Sequence, residues 1–456
     1  MRSVSKEQIL NGPIIKTLFL LGWPIMVTSL LYTMYHLADT FWLGRLEQSK
    51  YAVAALQISW PIIFLLIAVA FGFGTAGVAL VSQYTGAKKH KEANKYAGQV
   101  ISISLLCGTA IAFIGYMLSP FIVGSLGVEQ ELTRLSVLYL RIYLLGSPAV
   151  FCFFMFGFIM RAYGDTVTPM IVQGIAVLAN IVLDPLLILG IGGFPKMGVA
   201  GAALASVLTQ SLATVVALYL LFKGKVGIKI KFKYLKPDKE KLKKILTIGV
   251  PASIGESGTA LGFFILMYVL ARIPNSTVVL AAFGVGDRII SMVFVAIEGL
   301  SIGISTILGQ SLGANNVKRA EEVAKKGMVV MFSILVACSV FLVLFRTEAI
   351  GFFIKSPEVV EEGSNFIKYI IIGIPFFGIF RGVIASFQGS GHNVPTMFLD
   401  LSRLWVMRIP LAYILGIYLG MGATGVWIGM ALSNIVGAAA AFLYFETGIW
   451  KKRVID

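Results

Sequence analysis

The sequence predicts an all-α integral membrane protein of twelve transmembrane helices, arranged as two related six-helix bundles. Three observations carry that expectation. Hydrophobic residues make up 57% of the 456 positions and charged residues only 13%, about half the charge of an ordinary soluble domain. The apolar runs extend for about 20 residues or more, the length that crosses a bilayer as a helix. Finally, the chain repeats itself at a fixed offset. Only helices or closed barrels satisfy their backbone groups in lipid. A barrel strand would alternate apolar and polar residues over about ten positions, and these runs do not alternate.

The spans are expected near 15–43, 53–80, 97–123, 133–159, 168–191 and 198–222, and again near 245–271, 279–308, 325–346, 364–386, 395–420 and 422–447. The first is too long for a signal peptide and reads as an uncleaved helix. The net charge of +16 is concentrated in a few loops, as the positive-inside rule expects. Lys88, Lys89, Lys91, Lys95, Lys318, Arg319, Lys325, Lys326 and Lys451–Arg453 all fall on the side of the two termini. That makes the expected location a plasma membrane crossed many times, with both termini cytoplasmic. No basic stripe with interleaved aromatics lies on a soluble domain, so nucleic acid is not an expected partner. Cys107, Cys152 and Cys338 sit in apolar spans without a CxxC or Cys/His grouping, which points away from a disulfide framework or a thiolate metal site. The chain is expected to act as a monomer surrounded by membrane lipid.

Residues 223–244 hold ten lysines and Pro237. This is the longest polar stretch, and it falls at the midpoint. It divides an expected amino-terminal lobe, 1–222, from a carboxy-terminal lobe, 245–456. Shifting the chain by 227 residues places Gly22 and Pro24 on Gly249 and Pro251, and Gln83, Gly86 and Ala87 on Gln310, Gly313 and Ala314. Gly146, Pro148 and Gly164 fall on Gly373, Pro375 and Gly391. After a three-residue deletion, Gly198 and Gly201 fall on Gly422 and Gly425. Six spans per repeat make the halves parallel, an organisation used by alternating-access transporters.

The repeat also separates architecture from chemistry. A polar residue kept in both halves serves the scaffold, and one confined to a single half is a candidate for function. Asp39, Asn180 and Asp184 align with Leu266, Met407 and Leu411. Placing a carboxylate at mid-membrane costs at least about 2.5–3.5 kcal/mol, so something must offset it. Asn180 and Asp184 are four apart and share a helix face, as do Tyr35 and Asp39. We expect the two carboxylates to converge, sharing a proton or holding a sodium ion with Asn180 as a further oxygen ligand. His36 can share the Asp39 face. Asp287 with Arg288 and Asp400 with Arg403 read as compensated pairs, and Glu298 as a lone acid. Pro24 disrupts the first helix and is a candidate bending point, although Pro251 repeats it. The abundant Phe and Met residues suit an adaptable cavity.

Three segments resemble the multidrug and toxic compound extrusion (MATE) family over essentially the whole chain: GWPIMVTSLLYTMYHLADTFWLG, VSQYTGAKKHKEA with its echo LGQSLGANNVKRAEEVA, and RAYGDTVTPM followed by ANIVLDPLL. The resemblance implies a V-shaped pair of bundles that exports amphipathic, often cationic, compounds against protons or sodium ions. Asp39 with Asn180 and Asp184 looks most like its DinF-like branch. It also draws attention to Tyr139, to Ser206 where a Thr is more usual, and to Gly157 where a polar residue is expected. In the NorM-like branch a glutamate at the position of Glu256 joins an acid in the tenth span, but here that span carries Arg381 and Gln388. A lipid or lipid-linked oligosaccharide flippase of the wider superfamily is the alternative, and its cavity would carry more cations than Arg161, Arg381, Arg403 and Arg408. A prenyltransferase-type enzyme would need DxxxD motifs, which are absent. The expected function is therefore transport, with no cofactor other than a coupling ion.

Overall fold

The computed structural model describes residues 4–225 and 227–455, which fold into helices joined by short loops, with no strand among them. In chain order these are α1 (Lys6–Asn11), α2 (Ile14–Leu43), α3 (Ser49–Gly86), α4 (His90–Gly124), α5 (Gln130–Leu145), α6 (Ser147–Tyr163), α7 (Val167–Leu189) and α8 (Val199–Lys223). The second half contains α9 (Lys239–Leu270), α10 (Ser276–Gly313), α11 (Val317–Leu344), α12 (Arg346–Phe353), α13 (Pro357–Ile370) and α14 (Ile374–Ser390). It ends with α15 (Asn393–Leu401), α16 (Ile409–Tyr413) and α17 (Gly422–Glu446).

The halves correspond over most of their length, although α12 has no counterpart in the first half. Both α3 and α10 are 38 residues long, and both α8 and α17 are 25. The spans expected as single helices near 133–159 and 364–386 are each broken instead. Helices α5 and α6 meet at 54°, and α13 and α14 at 55°. The breaks fall at Gly146-Ser147-Pro148 and Gly373-Ile374-Pro375, where proline removes an amide donor and its ring clashes with the preceding turn. Hydropathy is continuous through both breaks, so counting apolar residues cannot see them. Nine helices among the described residues are long and apolar enough to span a membrane, and the two bent pairs raise that to eleven. The segment expected as the span 395–420 is helical but interrupted, because π-helical turns at Ser402–Arg408 and Ile414–Tyr418 separate α15, α16 and the start of α17.

The chain forms two compact units. The first comprises residues 24–85 and 89–250, and the second comprises residues 4–23, 86–88 and 251–455, so Pro24 and Pro251 mark the two passages. In the first unit, Leu43, Ala55, Leu140, Leu144, Ala202 and Ala203 form a close-packed core that includes Tyr139. The linker is folded against it. Gln99 Nε2 donates to the carbonyls of Tyr234 and Lys236 at 2.6 and 2.7 Å, and Ser102 Oγ to that of Leu235 at 2.7 Å. Helix α9 therefore begins at Lys239 rather than near 245. The Lys241 ammonium and amide hold the Asp238 carboxyl below the usual carboxylate range, as expected at a helix start. In the second unit, Phe380, Phe387, Phe445 and Trp450 anchor the core. There the Arg319 guanidinium ties down α1 by bonding the carbonyls of Ile9 and Gly12, each at 2.8 Å.

Pro24 lies inside α2 without ending it. The helix runs on because the ring costs one backbone bond and the surrounding turns keep theirs. Thr28 Oγ donates to the Pro24 carbonyl at 2.7 Å.

Candidate functional site

Helix α7 shows how the sequence places its polar residues. Leu178 and Val182 are 66% and 61% exposed, whereas Asn180 and Asp184 are fully buried. Residues two apart lie on opposite sides of a helix, and residues four apart share one. One stripe of α7 is therefore apolar and outward, and the other carries the amide and the acid into the first unit. Asp39 reaches the same place from α2 and is 1% exposed.

The side chains of Asp184, Asn180 and Ser206 adjoin the Asp39 carboxylate. Asn180 Nδ2 donates to Asp184 Oδ1 at 3.0 Å, and Ser206 Oγ donates to Asp39 Oδ2 at 3.5 Å. Those two bonds leave Asp39 Oδ1, Asn180 Oδ1 and Asp184 Oδ2 buried with no hydrogen-bond partner. Three acceptor oxygens thus gather where buried polar atoms are ordinarily paired. All are hard oxygen atoms, the ligand type that suits hard cations rather than soft metals. A proton would satisfy at most two of them, by bridging the carboxylates, whereas a small cation could take all three as ligands. Among the described residues, no three His, Cys, Asp or Glu side chains group as a metal site, so any cation held here would rely on the Asn180 amide.

Tyr35 is buried beside this cluster, its hydroxyl 3.4 Å from Thr209 Oγ. Thr209 was not singled out in the sequence, although it stands one turn after Ser206 on α8. Tyr139 is 2% exposed and stacks on Tyr143 at 6.2 Å, with no hydrogen bond to either acid. His36 turns away, its ring packing on Trp60 at a centroid distance of 4.1 Å. Three residues advance a helix by about 300°, which keeps His36 on the same side of α2 as Asp39, but the contact with Trp60 draws the ring away from the acid. At Gly157 no atom lies within 4 Å of where a Cβ would stand, so a small space exists where the resemblance suggested a polar side chain.

Glu256 belongs to a different group, in the second unit. It faces Arg381, Asp400 and Glu298. Glu298 is not alone as expected, since its carboxylate lies 3.8 Å from Arg381. Of the compensated pairs expected in the sequence, Asp287 with Arg288 is replaced, whereas Asp400 keeps Arg403 and gains Arg381. Arg288 is exposed and Asp287 faces Arg408, while Asp400 faces both Arg381 and Arg403. Adjacent residues such as 287 and 288 point about 100° apart on a helix, which separates that pair.

A family model described as MatE matches residues 24–186 and 251–414, one stretch in each half. The chain belongs to the MatE family. It is a transporter, not an enzyme, and a multi-pass membrane protein. It is 28% identical to "Probable multidrug resistance protein YoeA" of Bacillus subtilis, covering 95% of this chain and 93% of that one. It is 27% identical to "Probable multidrug resistance protein NorM" of Thermotoga maritima, covering 96% and 94%. Among solved structures, one of MATE in the bent conformation superposes with a TM-score of 0.90 at 27% identity, covering 98% of both chains. These relatives place the MatE transporter among proteins of multidrug efflux.

Proposed function

We propose that this MatE protein is an antiporter of the plasma membrane that works as a monomer with both termini cytoplasmic. It exports amphipathic, often cationic, organic compounds in exchange for protons or sodium ions. Asp39 and Asp184 carry the coupling ion, Asn180 and Ser206 support them, and Tyr35 and Tyr139 close the chamber around them. The observation that supports this reading is the trio of buried, unpartnered oxygens on Asp39, Asn180 and Asp184. An unneutralised acid in that position is costly, so occupancy by a proton or cation has a free energy available to drive a change of shape. The DinF-like assignment rests on the same three residues.

Bending at Pro24 completes the cycle in this reading. Asp39 and Pro24 share helix α2, and a helix bends most readily where a proline has removed a backbone bond. The related MATE structure in a bent conformation is consistent with such a step. The test is dye efflux from proteoliposomes with pH and sodium gradients imposed one at a time. Efflux that responds to at least one gradient supports antiport, and efflux indifferent to both would overturn it.

A further inference from the structure

Arg403 and Arg408 are five residues apart. On a regular α-helix they would point about 140° away from each other. The π-helical stretch Ser402–Arg408 has wider turns, with hydrogen bonds five residues apart, so these two positions fall on one face. Both side chains are buried, at 5% and 6% exposure. They converge on a single neutral atom: Arg403 Nη1 and Arg408 Nη2 donate to Asn434 Oδ1 at 3.2 and 2.6 Å. Arg408 Nε also donates to Ser433 Oγ at 3.0 Å.

Two like charges brought to one amide oxygen are not neutralised by it. No carboxylate oxygen approaches either guanidinium within 4.0 Å among the described residues. Asp400 faces Arg403 and Asp287 faces Arg408 only at longer range. Arg403 Nε is buried with no partner at all, and that guanidinium lies over the rings of Phe377 and Phe380 at 5.1 and 4.8 Å. Each guanidinium offers five N–H donors in a fixed plane. An arginine that served only to hold Asn434 would need no second arginine beside it, and it would not leave a buried donor empty. Planar forked donors in a dry setting match a carboxylate or a phosphate, which accept two parallel bonds.

We propose that Arg403 and Arg408 bind an anionic group, a carboxylate or phosphate, carried by a molecule that has entered the second unit. Asn434 and Ser433 position the two guanidiniums. The proposal rests on the transport reading but concerns a site separate from the acids of the first unit, and it adds solutes bearing an anionic group to the cationic class.

The experiment uses the full chain in nanodiscs of neutral lipid, with carboxyfluorescein as the anionic probe and ethidium as the cationic one, both followed by fluorescence anisotropy. Arg403→Gln and Arg408→Gln are each expected to weaken carboxyfluorescein binding by about thirtyfold or more, as for removing one member of a buried charged contact, with ethidium binding changed less than about twofold. Arg403→Lys should fall between, keeping charge and losing the fork. If the native chain does not bind carboxyfluorescein, or if both Gln variants bind it as the native chain does, the proposal is wrong. Should a Gln variant lose ethidium binding as well, and so be misfolded, competition on the native chain decides. Displacement of the probe by inorganic phosphate or decanoate identifies a free anion, displacement by added phosphatidylglycerol identifies a lipid phosphate, and displacement by none of them overturns the site. Asp39→Asn should keep carboxyfluorescein binding while losing gradient-driven export, so the two readings fail separately.

Discussion

The fifth and sixth predicted spans and their counterparts in the second half occupy corresponding places and are charged oppositely, although α7 is continuous where its counterpart is interrupted by π-helical turns. In the first half, α7 and α8 bring Asn180, Asp184 and Ser206 to Asp39, and the cluster has only acceptor oxygens left over. In the second half, the helical run 393–418 and α17 bring Arg403 and Arg408 to Ser433 and Asn434, and what is left over is a donor. One scaffold therefore presents an acid-rich chamber and a guanidinium-rich one. Duplication supplied the packing, and divergence at a few buried positions supplied the chemistry. What the halves share should control stability, and what they do not share should control transport.

The largest expected effect comes from removing the acids. Asp39→Asn and Asp184→Asn should each lower gradient-driven efflux at least about tenfold, as expected for a group whose charge is used in the cycle, with little change in purified yield. Full efflux in both variants would end the comparison. Next, Asn180→Met gives the first half the residue that the second half has at the aligned position, Met407. It removes the bond to Asp184 and one acceptor oxygen. Apparent affinity for the coupling ion, read from the concentration dependence of efflux, should fall by roughly ten- to a hundredfold, as when a supporting ligand is lost.

A matched pair of glycines tests the shared side. A Cβ on Gly201 would meet the Leu187 carbonyl at 2.4 Å, and one on Gly425 would meet the Leu415 carbonyl at 2.5 Å. Gly201→Ala and Gly425→Ala should each destabilise by about 1–3 kcal/mol, the usual cost of overpacking, and by similar amounts in the two halves. Thermal unfolding in detergent measures it, and a loss confined to one half would show that the scaffold is not equivalent. The smallest effect is expected at the linker. Asp238 caps α9 through the Lys241 amide at 3.3 Å and pairs with the Lys241 ammonium at 2.6 Å. Asp238→Ala should cost about 0.5–2 kcal/mol. Because its folded pKa is depressed, the stability it adds is present above the ordinary carboxylate range and disappears as pH falls through the depressed value. The gap in unfolding temperature between native and variant chains should therefore close on acidification.

Much of this was legible in the sequence because the chain can be compared with itself. The offset aligned Gly146 and Pro148 with Gly373 and Pro375, and the structure breaks both halves at those residues, but the spans expected there were straight because hydropathy runs on through both breaks. The same alignment exposed Asp39, Asn180 and Asp184 as residues without counterparts. Other features depend on rotation about a helix axis that no offset records. His36 goes to Trp60 rather than to Asp39. Arg403 and Arg408 look unrelated at a spacing of five until a π-helical stretch joins their faces. Glu298 finds Arg381 across a packing contact that no periodicity announces. Thr209 was within reach, since it repeats the Ser206 hydroxyl one turn later.

The most direct test of the central claim is to watch the ion itself. In proteoliposomes carrying a pH indicator inside and assayed in parallel with radioactive sodium, adding an exportable substrate should move protons or sodium in the opposite direction through the native chain. The double variant Asp39→Asn, Asp184→Asn should still bind substrate and should move neither ion. Undiminished ion movement through that double variant would contradict the account.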